Sequence, residues 1–237
     1  MADDRLYFRQ LLSGRDYAAH DPIAQQMVNF TYVIGDLQTR ECVLVDPAYA
    51  VGELLDIVEA DGMTVTGVLA THFHADHIGG NLMGHQLEGA ATLLERCSCP
   101  VHVQRDETPW VMRTSGLGRD QLVEHDGGDV VRVGAIDIHL VHTPGHTPGS
   151  QCFHVDGRLV SGDTLFLEGC GRTDFPGSDP AAMYDSLQTL AALPTGTVVY
   201  PGHRYSAAPS ATIDSIRDEN YVFRARSKEQ WLAAFGG

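Results

Sequence analysis

The sequence predicts an α/β protein made of two β-sheets packed face to face, with helices on the outside. Three observations carry this. Short apolar runs rich in β-branched residues recur along the chain, separated by Gly, Pro, Asn and Asp. Stretches with a helical period lie between groups of them. The order is β-hairpins, helices, β-hairpins, helices, with a change near residue 125, which suits two strand-rich halves, each with its own helices.

In chain order, residues 6–13 alternate partly and suit an edge strand. Residues 30–34 and 42–45 read as a hairpin closed by a polar turn, with Asp46-Pro47 ending the second strand. Val51, Leu54, Leu55 and Val58 give residues 51–60 a helical period, stopped by Asp61-Gly62. Residues 65–70 form the next strand, so a buried parallel or mixed sheet is expected. A second helix is predicted over residues 82–96, with Met83, Leu87, Ala90 and Leu94 on one side. A short strand over 100–103 and a helix over 108–112 follow, with Pro109 in the helix's first turn. Strands are predicted over 130–133, 136–142, 151–155 and 158–160, the last two joined by an Asp156-Gly157 turn. Residues 180–193 read as a helix with Asp179 at the N-cap and Pro180 at the first position. A last strand over 197–200 and a helical stretch over 211–235 complete the chain. Residues 1–237 are expected to form one domain, with a short helical C-terminal tail from about residue 206.

With 237 residues the chain can bury a large core without disulfides or structural metals, so a bound metal would serve chemistry. The formal charge of −15 argues against a nucleic-acid partner, which needs clustered Lys and Arg. Five cysteines without a regular framework suit a reducing compartment. No apolar run is long enough to span a membrane and no signal peptide is legible, so a cytoplasmic address without membrane contact is expected.

The chemistry concentrates at Thr71-His72-Phe73-His74-Ala75-Asp76-His77, directly after a predicted strand. Alternate residues of an extended segment point the same way, so His72 and His74 can face one point in space and Asp76 and His77 a second beside it. Imidazole and carboxylate in such density suit a borderline metal. A solvated polar loop is the plain alternative. Three more strand ends repeat the theme, each flanked by Gly or Pro: His146 in Thr143-Pro144-Gly145-His146-Thr147-Pro148-Gly149, Asp163 in Gly162-Asp163-Thr164, and His203 in Pro201-Gly202-His203. Taken singly, each would more often be structural.

In this order and spacing, over about residues 28–205, the set resembles the metallo-β-lactamase-fold hydrolase superfamily. That resemblance implies a four-layer αββα sandwich with a dinuclear metal site along one edge. It implies that His72, His74 and His146 hold one metal, that Asp76, His77 and His203 hold the other, and that Asp163 bridges them. The metals would be divalent, zinc in the first instance, with iron or a zinc–iron pair as alternatives. They would share a hydroxide made from water at neutral pH, and Asp76 would orient it or take its proton.

Within that resemblance, Asp163 looks unlike the true β-lactamases, and His74 looks unlike the diiron flavoprotein oxidases. Gly162-Asp163-Thr164-Leu165-Phe166 followed by Gly169-Cys170-Gly171-Arg172 is similar to glyoxalase II, the hydroxyacylglutathione hydrolase, which cleaves an acylated glutathione. Residues 30–36 with residues 169–175 are also similar to the persulfide dioxygenases. There a single Fe(II) would sit on His72, His146 and Asp163 and oxidise a thiol persulfide to sulfite. The expected function is hydrolysis of a small thioester; persulfide oxidation is the alternative, and a metal-binding non-enzyme with an occluded site a third reading. The expected partner is a small thiol-containing substrate, and a homodimer is the class-level expectation.

Arg172 can hold a substrate carboxylate or pair with a local acid such as Asp174. Tyr205 can line the pocket, although packing is the simpler role. Cys170 reads as a small residue in a tight loop, and Cys97-Ser98-Cys99 as structural. His139, His142 and His154 read as packing or surface residues, and His20, His85, His102 and His125 have no motif around them.

Overall fold

A computed structural model describes residues 5–235. The first half runs β1 (Leu6–Leu12), α1 (Pro22–Met27), β2 (Phe30–Asp36), β3 (Glu41–Val45), α2 (Val51–Ala60), β4 (Thr64–Leu69), α3 (Ala75–Ile78), β5 (Gly80–Leu82), β6 (His85–Leu87), α4 (Ala90–Leu94), β7 (Val101–Gln104), α5 (Thr108–Ser115) and β8 (Leu122–His125). The second half runs β9 (Val130–Val133), β10 (Ile136–His142), β11 (Gln151–Val155), β12 (Arg158–Gly162), α6 (Pro180–Ala191), β13 (Val198–Pro201), β14 (Ala211–Thr212), α7 (Ile213–Glu219) and α8 (Lys228–Phe235).

Two mixed sheets result, in the orders β1-β2-β3-β4-β7-β8 and β14-β13-β12-β11-β10-β9. The change predicted near residue 125 is the step from one sheet to the other. The alternation of side chains along each strand explains the layers. In β2, Val33 points outward with Leu44, Val68 and Val101 to meet Leu54 and Val58 of α2. Its neighbours Tyr32 and Ile34 point inward with Val43 and Leu69, against Ile138, Leu140 and Phe153 of the second sheet. The outer face of that sheet packs Leu159 and Val199 on Met183, Leu187 and Leu190 of α6 and on Trp231 of α8. The order is therefore helix, sheet, sheet, helix, as expected. Each fully buried aliphatic or aromatic side chain contributes about 1.5–3 kcal/mol of burial free energy.

Local rules account for the helix starts. Asp179 caps α6 by accepting the N–H groups of Ala181 and Ala182, with Pro in the first turn. Asp21 does the same for α1, which, like β8, lies outside the elements predicted from the sequence. Asp156 and Gly157 both take positive φ, 44° and 71°, and close the β11–β12 hairpin.

The helix predicted over residues 82–96 is not formed. Residues 80–87 make the β5–β6 hairpin, and only Ala90–Leu94 is helical. The turn places Met83 at φ 51° and Gly84 at φ 91°, which no α-helix accommodates. The stretch over 211–235 is likewise divided: β14 adds to the sheet edge, and α7 and α8 are separated by a short 3-10 turn at Tyr221–Phe223. No helix among the described residues is long and apolar enough to cross a membrane.

Hydrogen bonds join the sheets at one edge. Gln151 N–H donates to the Thr71 carbonyl (2.9 Å) and Gln151 Nε2 to the Ala70 carbonyl (2.9 Å). Phe30 N–H donates to the Gly202 carbonyl (2.7 Å), beside an isolated bridge between Asn29 and His203. This edge carries the strand ends that bear the clustered histidines.

Candidate metal centre

His72 and His74 follow β4 just past a bend at Thr71, and after His74 the chain enters the single helical turn of α3, which carries Asp76 and His77. That turn explains the second direction: on a helix, Asp76 and His77 no longer alternate with His74. His146 comes from the β10–β11 loop, Asp163 from the end of β12 and His203 from the end of β13. Ligand-capable atoms of His72, His74 and His146 all lie within 4.8 Å of one another, and so do those of Asp76, His77 and His203. Within the first group His74 Nδ1 is 3.1 Å from His72 Nε2 and 3.0 Å from His146 Nε2. Within the second, His77 Nε2 is 3.2 Å from His203 Nε2, and Asp76 Oδ2 is 3.5 and 3.4 Å from the two. Asp163 spans both groups: its Oδ2 is 3.8 Å from His146 Nε2 and 3.3 Å from His203 Nε2, and its Oδ1 is 3.4 Å from His77 Nε2.

The other ring nitrogen of four of these histidines is held by an acceptor. His146 Nδ1–H donates to the Arg172 carbonyl (2.7 Å) and His203 Nδ1–H to the Met27 carbonyl (2.8 Å). His77 Nδ1–H donates to Asp46 Oδ2 (2.9 Å). Thr71 Oγ1 gives its proton to Asp46 Oδ2 (2.5 Å) and so accepts from His72 Nδ1–H (3.0 Å). With the outward nitrogen donating, the neutral rings of His72 and His146 keep their inward Nε2 as a bare lone pair, while at His77 and His203 the facing carboxylates favour a proton on that nitrogen. The inward nitrogens of His72, His74 and His146 lie about 3 Å apart, a spacing at which lone pairs repel one another unless a proton or a metal cation lies between them. Such outward partners are the usual orienters of metal-bound histidine. Asp163 Oδ1 adds a buried carboxylate oxygen without a hydrogen-bond donor. The donor set therefore fits divalent metal, and the residues of both groups can hold it.

The electrostatics are divided in the same way. Burial pushes His72 well below the ordinary histidine value, with His77 and His74 adding repulsion, and burial takes His74 down to about 4. His146 is also lowered by burial. These rings stay neutral, the state in which an imidazole can bind a metal. In the other group burial opposes the charge on His77, but Asp163, Asp76 and Asp46 outweigh it and raise the ring to about 10. Burial would raise Asp163, but His203 and His77 hold it well below the carboxylate range. The carboxylate side of the site thus favours positive charge.

Several partners escape sequence reasoning. Tyr49 OH donates to Asn29 Oδ1 (2.7 Å), and Asn29 Nδ2 donates to Asp76 Oδ2 (3.0 Å), which fixes the carboxylate's orientation. Asp46, the buried residue that ends β3, reaches both His77 and Thr71, whose N–H it also accepts (2.7 Å). Its one visible signal is its place in Asp46-Pro47 at a strand end. Glu107 is 1% exposed and accepts from the N–H groups of Phe73 and Gly149, both at 2.7 Å. Burial pushes its carboxyl up to about 7 against the lowering pull of Thr147 and those two N–H groups.

A cavity of about 650 Å³ opens onto His74, Asp76, His146, Asp163 and His203, so the centre is not occluded. Phe73, Phe166, Phe175, Leu82 and Met83 give it an apolar wall. Tyr205 stacks on His203 at 4.7 Å between ring centroids and is 55% exposed, so it both packs on the centre and lines the cavity. Arg172 also lines it; its guanidinium lies 4.6 Å from the Phe175 ring and forms a fork with Asp174 (2.9 and 2.5 Å). Cys97 and Cys99 join no metal-capable group among the described residues. His102 and His125 pair with each other at 2.9 Å, away from the centre.

A sequence profile described as the metallo-β-lactamase superfamily matches residues 25–203. The hydroxyacylglutathione hydrolase of Rhodopseudomonas palustris is 34% identical over 203 residues, covering 85% of this chain and 72% of that protein. A Bacillus velezensis protein named probable polyketide biosynthesis zinc-dependent hydrolase BaeB is 28% identical over 209 residues, covering 88% of this chain and 87% of its own. Among solved structures, ETHE1 from Myxococcus xanthus superposes with a TM-score of 0.80 at 31% identity, covering 98% of this chain and 90% of that one. The strand-end histidines and aspartates, the four layers and these matches together place the chain in the metallo-β-lactamase superfamily, to which it belongs.

Proposed function

We propose that this chain is a metal-dependent hydrolase of small thioesters, acting on an acylated low-molecular-weight thiol such as an acylated glutathione. The observation that carries the reading is the span of Asp163 between two compact donor groups, one of three neutral imidazoles and one of Asp76, His77 and His203. Seven donors arranged this way suit two divalent cations, zinc in the first instance. When bound, two such cations supply an activated water at neutral pH and an electrophile for the thioester carbonyl. The chain's own residues do the rest. Asn29 and Tyr49 orient the Asp76 carboxylate, which is placed to direct the attacking water or take its proton. Phe73, Phe166 and Phe175 give the substrate's carbon skeleton a dry surface. Arg172 lies at the same cavity, where it can meet an anionic end of the substrate. The likeness to hydroxyacylglutathione hydrolase supports the substrate class.

A second reading, a mononuclear iron persulfide dioxygenase, is favoured by the likeness to ETHE1 over 98% of the chain. Under it, His72, His146 and Asp163 form the two-histidine, one-carboxylate set. Parallel assays of the purified chain separate the two. Loss of thioester absorbance with S-lactoylglutathione and with aromatic acyl thioesters, without oxygen uptake on glutathione persulfide, supports the hydrolase. Persulfide-dependent oxygen uptake without thioester cleavage supports the dioxygenase and overturns the first reading.

A further inference from the structure

We propose that Glu107 is a positioning residue that sets the distance between the two loops carrying His72, His74 and His146. The inference rests on the metal reading above and concerns what assembles one of its two halves.

The three imidazoles come from different sheets. His72 and His74 follow β4 of the first sheet, and His146 lies in the β10–β11 loop of the second. Something must hold these loops at one separation, because an imidazole triad binds well only when its lone pairs meet at one point. Glu107 sits between them, at the end of a 3-10 turn that precedes α5. One carboxylate oxygen accepts the N–H of Phe73, the residue between His72 and His74. The other accepts the N–H of Gly149, three residues after His146. The two bonds are equal, at 2.7 Å.

The approach is so close that a Cβ at residue 149 would collide with the Glu107 backbone and side chain. That gives a physical reason for the second glycine of Thr-Pro-Gly-His-Thr-Pro-Gly. No cation pairs with Glu107 among the described residues, and a carboxylate 1% exposed without one is costly to keep. The fold does not need it to join the sheets, because Gln151 bonds to Thr71 and Ala70 across the same edge. What Glu107 adds is a tie from Phe73, the residue between His72 and His74, to Gly149 in the loop that carries His146.

Glu107→Gln tests this with little change of shape. The amide keeps one acceptor and turns an NH2 toward the second N–H, so one loop loses its tether. Zinc is titrated into the chelator-stripped full chain against a chromophoric chelator, with His146→Ala and His203→Ala identifying which binding step belongs to which half. The expected result is an affinity about 10–100-fold weaker for the step lost in His146→Ala, with the step lost in His203→Ala unchanged. The visible spectrum of the cobalt(II)-loaded variant should change in the band that His146→Ala removes. Wild-type affinity at both steps overturns the proposal. So does equal weakening of both with a lowered melting temperature, or a variant that no longer folds, since either makes Glu107 merely structural. Failure of the unmodified chain to bind any divalent metal would instead remove the metal reading beneath it.

Discussion

Asp163 and His203 meet at the junction of the two donor groups: Oδ2 lies 3.3 Å from Nε2, while the same carboxylate oxygen is 3.8 Å from His146 in the other group. One side chain is thereby committed to both halves of the centre. Asp163→Ala should weaken metal binding at both steps and lower hydrolysis by at least about 100-fold, more than loss of an outer partner does. Metal analysis and chelator competition check this; loss of one metal with the other unchanged would argue against a bridge.

Gly202 supports that carboxylate from behind. A Cβ there would strike Asp163 Oδ1 and press on the His77 ring. Its backbone also accepts from Phe30 and donates to Gly162, so it cannot retreat. Gly202→Ala should destabilise the fold by about 1–3 kcal/mol, as overpacking does, and reduce bound metal as well. Urea unfolding and metal content are the two readouts, and full metal loading would contradict the account.

Arg172 forms an exposed fork with Asp174, and exposed ion pairs add little to stability. Arg172→Ala should leave the melting temperature unchanged and raise KM for an anionic thioester, with kcat retained. A thermal effect alone would favour a structural role for the pair.

Glu107 gives a pH prediction whose sign is set by burial. Its carboxyl stays protonated in the folded chain up to about 7, against 4.5 for the free side chain. Between those values the unfolded chain binds fewer protons, so this group's contribution to stability falls as pH rises. Relative to Glu107→Gln, the metal-free chain should lose up to about 3 kcal/mol between pH 4.5 and 7. Urea unfolding of both proteins across that range measures it; a constant difference would contradict the burial argument.

Much of this was legible in the sequence because it is local. A strand end followed by His-x-His-x-Asp-His can bring alternate imidazoles to one point, and just past the end of β4 His72 and His74 do meet there. The caps of α6 and the Asp156-Gly157 turn are likewise decided within a few residues. The misread segment, residues 82–96, shows the limit of periodicity: Met83, Leu87, Ala90 and Leu94 have helical spacing, but two positive-φ residues at the turn decide for a hairpin. The orienting partners were illegible for a different reason. Asp46 lies 31 residues from His77, Asn29 lies 47 from Asp76, and Glu107 lies 34 from Phe73. Nothing in a buried acid's local sequence tells which distant N–H it will meet.

Two donor groups that share Asp163 should hold two divalent cations. Metal content per chain, measured by mass spectrometry on protein purified without added metal or chelator, tests it most directly. Two metals per chain, mostly zinc, is the predicted result. One iron per chain, or none of any metal, would contradict it.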